Sequence, residues 1–241
     1  MTNEEKQKLL KPGERLDDLQ IGGLELIQNP AGFCFGVDAV FLSDFAKVRA
    51  GETALDLGTG NGIIPVLLSA KTEGKKFTGL EIQADTAEMA RRSVAWNGLE
   101  DRVEIVTGDI REASQIFKPV FFDVITTNPP YMPAEHGIRN ADSARAAARH
   151  EVLCTLDDIL RESMRLLQDK GRFYMIHRPF RLTEILIKMN HYKIEPKRIR
   201  FIHPYADKEP VLVMVEGVRG ARPGVKIDPP IIIYDRRPAE E

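Results

Sequence analysis

The sequence predicts an α/β protein with a doubly wound, mostly parallel sheet whose last strand is reversed. Three observations carry that expectation. From Thr53 onward, short apolar runs alternate with amphipathic stretches, the strand–helix repeat that builds parallel sheets. A glycine-rich segment, LDLGTGNG (Leu55 to Gly62), falls between strand and helix in the first of these units. The last two apolar runs, RIRFIHP and PVLVMVEGV, have no helical stretch between them, so they should pair as an antiparallel hairpin.

Taken in order, DLQIGGLELIQ (Asp18 to Gln28) holds two short apolar runs around Gly22-Gly23 and reads as a β-hairpin. FGVDAVFLSDFA follows, with Asp38 placed to cap a short helix that would bury Val40, Phe41 and Phe45. Strand ETALDL then leads through the glycine turn into helix GIIPVLLSAK. Pro65 is tolerable there because first-turn N–H groups have no helical partner. Strand KFTGLEI precedes helix ADTAEMARRSVAWNG, which should stop at Asn97-Gly98. Strand RVEIVTGD leads to a short helix, and strand FFDVITT runs into NPPY (Asn128 to Tyr131). Beyond a long loop come helix TLDDILRESMRLLQD, ending before Gly171, strand GRFYMIH, helix LTEILIKMN and the closing hairpin. This divides the chain into an N-terminal hairpin-and-helix extension (1–50), a main domain (51–218) and a proline- and charge-rich tail (219–241) expected to be irregular.

Composition narrows the class without naming a function. The chain has 241 residues, 43% apolar and 29% charged, ordinary values for a globular protein. A net charge of -2 gives no global preference for nucleic acid, so any basic surface must be local. Cys34 and Cys154 have no metal-type spacing and read as two thiols in a reducing compartment. The polar start lacks an apolar signal segment and no run approaches a membrane span, so a cytoplasmic location is expected. The five histidines form no constellation, so no metal is expected, and Trp96 reads as a packing residue.

Open α/β sheets bind ligands beyond the carboxyl ends of their strands. Gly58, Gly60 and Gly62 would let the backbone approach a ligand there, although a glycine turn alone is equally a tight turn. Two acids add weight. Glu81 ends the second strand, 25 residues after Asp56, where a carboxylate can accept from both ribose hydroxyls. Asp109, in TGDI, ends the third strand, where it could meet an adenine amino group. Ile63 stands where a dinucleotide fingerprint needs its third glycine, which argues against NAD. Asp56 would repel a pyrophosphate but not a cationic sulfonium bearing an amino-acid moiety. S-adenosylmethionine fits better.

LDLGTGNG, GLEI, TGDI and NPPY, in that order, resemble the motifs of the class I S-adenosylmethionine-dependent methyltransferases, over about Phe33 to Gly217. With QNPAGFCFGVDAVFLSDFA ahead of the glycine turn and ARHE after NPPY, the chain looks like the bacterial tRNA1(Val) adenine-N6 methyltransferases. The resemblance implies a Rossmann-like, seven-stranded fold and methylation of the adenine 3′ of the anticodon. It assigns cofactor contacts to Phe35, Asp38, Asp56, Gly58, Gly60, Asn61, Glu81, Ile82, Asp109, Ile110 and Asn128, with FCFGVDA against the methionine end. Asn128, Pro129, Pro130 and Tyr131 would be catalytic: the Asn128 amide oxygen and the Pro129 carbonyl would each accept one N–H of the target amine, and Tyr131 would stack on the base.

The polymer stays open at this point. NPPY suits any planar group carrying an NH2, so a protein glutamine or a ribosomal guanine competes with adenine in the anticodon loop of tRNA. A fold that only binds RNA or a protein partner is a further alternative. Between Arg181 and Lys226 there are 10 Lys and Arg against 5 Asp and Glu, a local excess that would track phosphates or simply solvate a strand edge. Arg139, Arg145 and Arg149 follow NPPY. A monomer is the expected state.

Overall fold

The computed structural model describes residues 7–30, 36–130 and 154–234. Strands β1 (Arg15–Asp18) and β2 (Glu25–Gln28) form the expected hairpin, antiparallel with Asp18 opposite Glu25. Its first strand lies earlier than the apolar pattern suggested, because Leu19, Ile21 and Leu24 sit in the connecting loop and pack on the core. Helix α1 (Val37–Phe45) follows, capped by Gly36 rather than Asp38, which falls in the first turn. That shift rotates the buried face onto Ala39, Leu42, Ser43 and Phe45, leaving Val40 and Phe41 half-buried.

The alternating series is β3 (Thr53–Leu57), α2 (Ile63–Lys71), β4 (Lys76–Glu81), α3 (Ala84–Trp96), β5 (Val103–Thr107), α4 (Ala113–Ile116) and β6 (Phe122–Thr127). It continues with α5 (Leu156–Leu166), β7 (Leu167–His177), α6 (Leu182–His191), β8 (Ile194–His203) and β9 (Leu212–Arg219). The central seven strands run in the order β8-β9-β7-β6-β3-β4-β5, parallel except for β9, which is antiparallel to both neighbours. The reversal has the cause read from the sequence, since nothing helical separates β8 from β9. A further boundary moved: α5 ends at Leu166 and β7 begins at once, with a bulge that takes the pairing from Phe122–Leu167 to Val124–Arg172.

Period-2 alternation splits the core between the two faces. Ala54, Phe77, Val124, Tyr174 and Ile176 pack under α1, α2 and α3. Leu55, Leu80, Ile125, Phe173 and Met175 pack under α5 and α6. The hairpin is fastened to α3: Ile27 N donates to Ser93 Oγ at 3.0 Å, and the Trp96 indole donates to Glu25 Oε2 at 2.8 Å. Trp96 therefore does more than fill space.

The tail is not irregular throughout. Strands β10 (Lys226–Ile227) and β11 (Ile231–Ile232) both pair in parallel with β8. Asp228 N donates to Ile199 O at 2.8 Å, and the Tyr205 and Tyr234 rings meet at 5.3 Å. This covering satisfies an edge strand that would otherwise expose its backbone groups. No helix among the described residues is long and apolar enough to cross a membrane.

Candidate active site

The glycine turn begins where β3 ends. Gly58, Gly60 and Gly62 have φ of 75°, 57° and 83°, left-handed values that a side chain would strain. Gly58 N and Thr59 N both donate to Leu80 O, at 2.9 and 3.0 Å, which binds the turn to β4. Gly79 makes room for it, since a Cβ there would fall 2.7 Å from the Thr59 side chain. Glu81 completes the frame. Its two oxygens accept from Gly60 N and Gln83 N, each at 2.9 Å, and the residue is 6% exposed.

Asp56 lies beneath the turn, 2% exposed, with Oδ1 accepting the Thr126 hydroxyl at 2.7 Å. Burial pushes its carboxyl up to about 7. The like charge of Glu81 adds to the shift and the Thr126 hydroxyl opposes it. Thr59 lies close enough to oppose it too, without hydrogen-bond geometry. Asp56 Oδ2, Thr59 Oγ1 and Asn61 Oδ1 are buried and make no hydrogen bond. Orphaned polar atoms are costly in a folded protein and mark places where a ligand completes the set. Asn61 also donates to Gln28 Oε1 at 3.3 Å, and Gln28 donates in turn to Asp17 Oδ2, so the N-terminal hairpin reaches the turn.

Asn128 leaves β6 one residue beyond Thr127, whose register partner on β3 is Leu57. The Thr127 hydroxyl donates to Leu57 O at 2.9 Å, which fixes the strand end beside the glycine turn. Asn128 and Pro129 are half-buried and Pro130 is exposed. Ile82 follows β4, 39% exposed, and the half-buried Ile110 follows β5. All of these lie at the carboxyl edge of the sheet. Tyr131 and Phe35 lie outside the described residues, as do Cys34, Arg139, Arg145 and Arg149.

Two of the expected groups are already engaged by neighbours. Asp109 does not present a free carboxylate: it caps the 3-10 turn Ile110–Glu112 and accepts from Arg111 N at 2.8 Å and from the Arg111 guanidinium at 2.6 and 2.9 Å. Those hydrogen bonds hold its carboxyl below the usual range. Arg198 is not available to phosphates. It donates to Glu216 (2.6 Å), Asp228 (3.3 Å) and Phe45 O (2.7 Å), and its guanidinium stands 3.8 Å from the Phe45 ring centroid. Arg200 and Lys197 donate to the tail carbonyls of Pro229 and Arg222. Cys154 is a free, half-buried thiol, in line with the sequence reading, and burial pushes it up to about 12.

Sequence reasoning missed Thr126, Thr59 and Gln28. The only signal for Thr126 was a polar pair, Thr126-Thr127, closing an otherwise apolar strand. Among the described residues no group of three or more His, Cys, Asp or Glu could hold a metal ion.

Strand order, the reversed β9 and a glycine turn framed by acids at the carboxyl edge define a class I methyltransferase fold. Comparison with solved structures agrees. A predicted O-methyltransferase from Agrobacterium tumefaciens superposes with a TM-score of 0.67 at 20% identity, over 84% of this chain and 90% of that one. Geranyl diphosphate C-methyltransferase from Streptomyces coelicolor A3(2), solved with S-adenosyl-L-homocysteine, superposes with a TM-score of 0.56 at 16% identity, over 76% and 75%. The chain belongs to the methyltransferase small domain family, whose model matches residues 36–195. A curated relative from Porphyromonas gingivalis, named tRNA1(Val) (adenine(37)-N6)-methyltransferase, is 30% identical over 187 residues, covering 75% of this chain and 72% of its own.

Proposed function

We propose that this protein is an S-adenosylmethionine-dependent methyltransferase that acts on N6 of the adenine 3′ of the anticodon in tRNA1(Val). The observation that carries the cofactor is the set of three orphaned buried atoms at the glycine turn, Asp56 Oδ2, Thr59 Oγ1 and Asn61 Oδ1. The substrate rests on NPPY, which follows directly from β6 beside that turn, and on the name of the Porphyromonas relative.

In this reading the Glu81 carboxylate holds the ribose hydroxyls while its present backbone bonds keep it in place. Asp56 and Asn61 meet the methionine end, helped by Phe35 and Asp38. Gly58 and Gly60 allow close approach. Ile82 and Ile110 flank the adenine ring, and Asp109 contributes through its backbone, or through its side chain once Arg111 turns away. The cofactor supplies an activated methyl group on sulfur. An adenine N6 is a poor nucleophile because its lone pair is delocalised into the ring. Asn128 Oδ1 accepts one of its N–H groups and Pro129 O the other, which aims the lone pair and favours the positive charge that develops on nitrogen. Pro130 stiffens the carbonyl and Tyr131 stacks on the base. The surplus proton leaves to water, since the methylated nitrogen is acidic as it forms. No strong general base is required. The extension at 1–50 serves as part of the cofactor site through Gln28, and the protein acts as a cytoplasmic monomer.

Transfer from methyl-labelled cofactor to unmodified bulk tRNA, with a release factor and ribosomal RNA offered as competing acceptors, tests the proposal. Nuclease-sensitive label that analyses as N6-methyladenosine supports it. Protease-sensitive label on a release factor, or N2-methylguanosine in ribosomal RNA, overturns it.

A further inference from the structure

Thr126 belongs to no motif read from the sequence, yet it is fully buried in the centre of the sheet and is the register partner of Asp56. A hydroxyl at a buried strand position is unfavourable unless it is bonded, and valine would suit the packing better. Here the hydroxyl donates to Asp56 Oδ1 at 2.7 Å. Asp56 Oδ2 is equally buried and makes no hydrogen bond. No basic side chain among the described residues pairs with Asp56; β4 brings only the like charge of Glu81, and the turn brings Thr59. A carboxylate so placed has one donor and one empty oxygen.

Resting on the cofactor reading above, we propose that Thr126 is a positioning residue: it fixes one Asp56 oxygen so that the other meets the cationic methionine end of the cofactor, and binding is thereby coupled to release of the Asp56 proton. The sign follows from the groups around Asp56. Burial, then the Glu81 charge, favours the protonated acid in the empty site, while Thr126, and Thr59 after it, favour the anion. The α-ammonium at the amino-acid end, which S-adenosylhomocysteine shares with the cofactor, selects the anion, so affinity rises as pH rises through about 7 and then levels. Removing the hydroxyl moves that midpoint to higher pH.

The test is calorimetric titration of the full-length protein with S-adenosylhomocysteine, in buffers of different ionisation enthalpy, from about pH 6 to about pH 9. The wild type should release a fraction of a proton near pH 7 and bind about tenfold more weakly near pH 6 than near pH 8, the fraction ionised setting the apparent affinity. Thr126→Val should bind about 3- to 10-fold more weakly than wild type near pH 7, with the deficit closing towards pH 9, and Thr126→Ser should restore the wild-type profile. The ligand's own amine titrates identically in all three and cancels from the comparison. Wild-type affinity that is flat with pH, with no proton exchanged, overturns the proposal, and it does so without any variant having to fold. A Thr126→Val deficit that is equal at every pH also overturns it, because that is a structural role. Absence of wild-type binding at all pH values would instead refute the cofactor reading beneath it.

Discussion

Glu81→Gln separates two roles of one carboxylate. Both Glu81 oxygens already accept a backbone N–H, from Gly60 and from Gln83, at 2.9 Å each. Each carboxylate oxygen has a second lone-pair site, so both can still accept a ribose hydroxyl. Glutamine keeps the shape and one acceptor but turns an NH2 towards one of the two amides. A charge-assisted hydrogen bond contributes about 1.5–3 kcal/mol, so losing one in this buried turn should lower stability by roughly that amount. At about 2–4 °C per kcal/mol for a chain of this size, the melting temperature should fall by about 3–12 °C. The bond to the ribose is lost as well, so affinity for S-adenosylhomocysteine should fall about 10- to 100-fold. Calorimetric titration near pH 8 reads the affinity and a thermal melt reads the turn. A folded Glu81→Gln protein with a lowered melting temperature and unchanged affinity would refute the ribose assignment and leave Glu81 as a structural strut.

Other perturbations have equally definite outcomes. Asn128→Ala should leave cofactor affinity nearly intact and lower turnover by about 10²–10³-fold, measured as initial rates of methyl transfer. Arg198→Met should strand Glu216 and loosen the tail through Asp228, costing about 3 kcal/mol in urea unfolding with little change in cofactor binding. His177 is buried and held at about 4 by that burial, below its ordinary 6.5. Its folded form resists protonation, so the stability it retains above about 6.5 is lost as pH falls towards 4, at up to about 1.4 kcal/mol per pH unit. Asp56, shifted upward, acts in the opposite sense, so the readout is the difference between wild type and His177→Gln in denaturant midpoint at about pH 7 and pH 5.

Local physics made most of this fold readable. The glycine turn, the strand–helix alternation and the missing helix between β8 and β9 each leave a sequence signature that tertiary contacts do not override. Most of what escaped depended on distant partners. The Arg198 cluster looked like a basic run because Glu216, Asp228 and Phe45 come from three separate segments. The tail looked irregular because β10 and β11 are two residues each and exist only as cover for β8. Asp109 falls two residues beyond the end of β5, and its neighbour Arg111 bonds its carboxylate, a local contact that strand-level reasoning passes over. Thr126 was invisible because its partner, Asp56, stands 70 residues earlier in the chain.

The central claim is that NPPY presents two acceptors to an adenine N6 in the anticodon loop. The most direct measurement is methyl incorporation into an unmodified tRNA1(Val) transcript, compared with the same transcript carrying guanine at the position 3′ of the anticodon. A loop base is cheaply unstacked, and adenine offers an NH2 where guanine offers a carbonyl. The account predicts one N6-methyladenosine per transcript, mapped to that position by nuclease digestion and mass spectrometry, and none in the guanine variant. Equal labelling of both transcripts, or no labelling of either by a protein that binds S-adenosylhomocysteine, would contradict it.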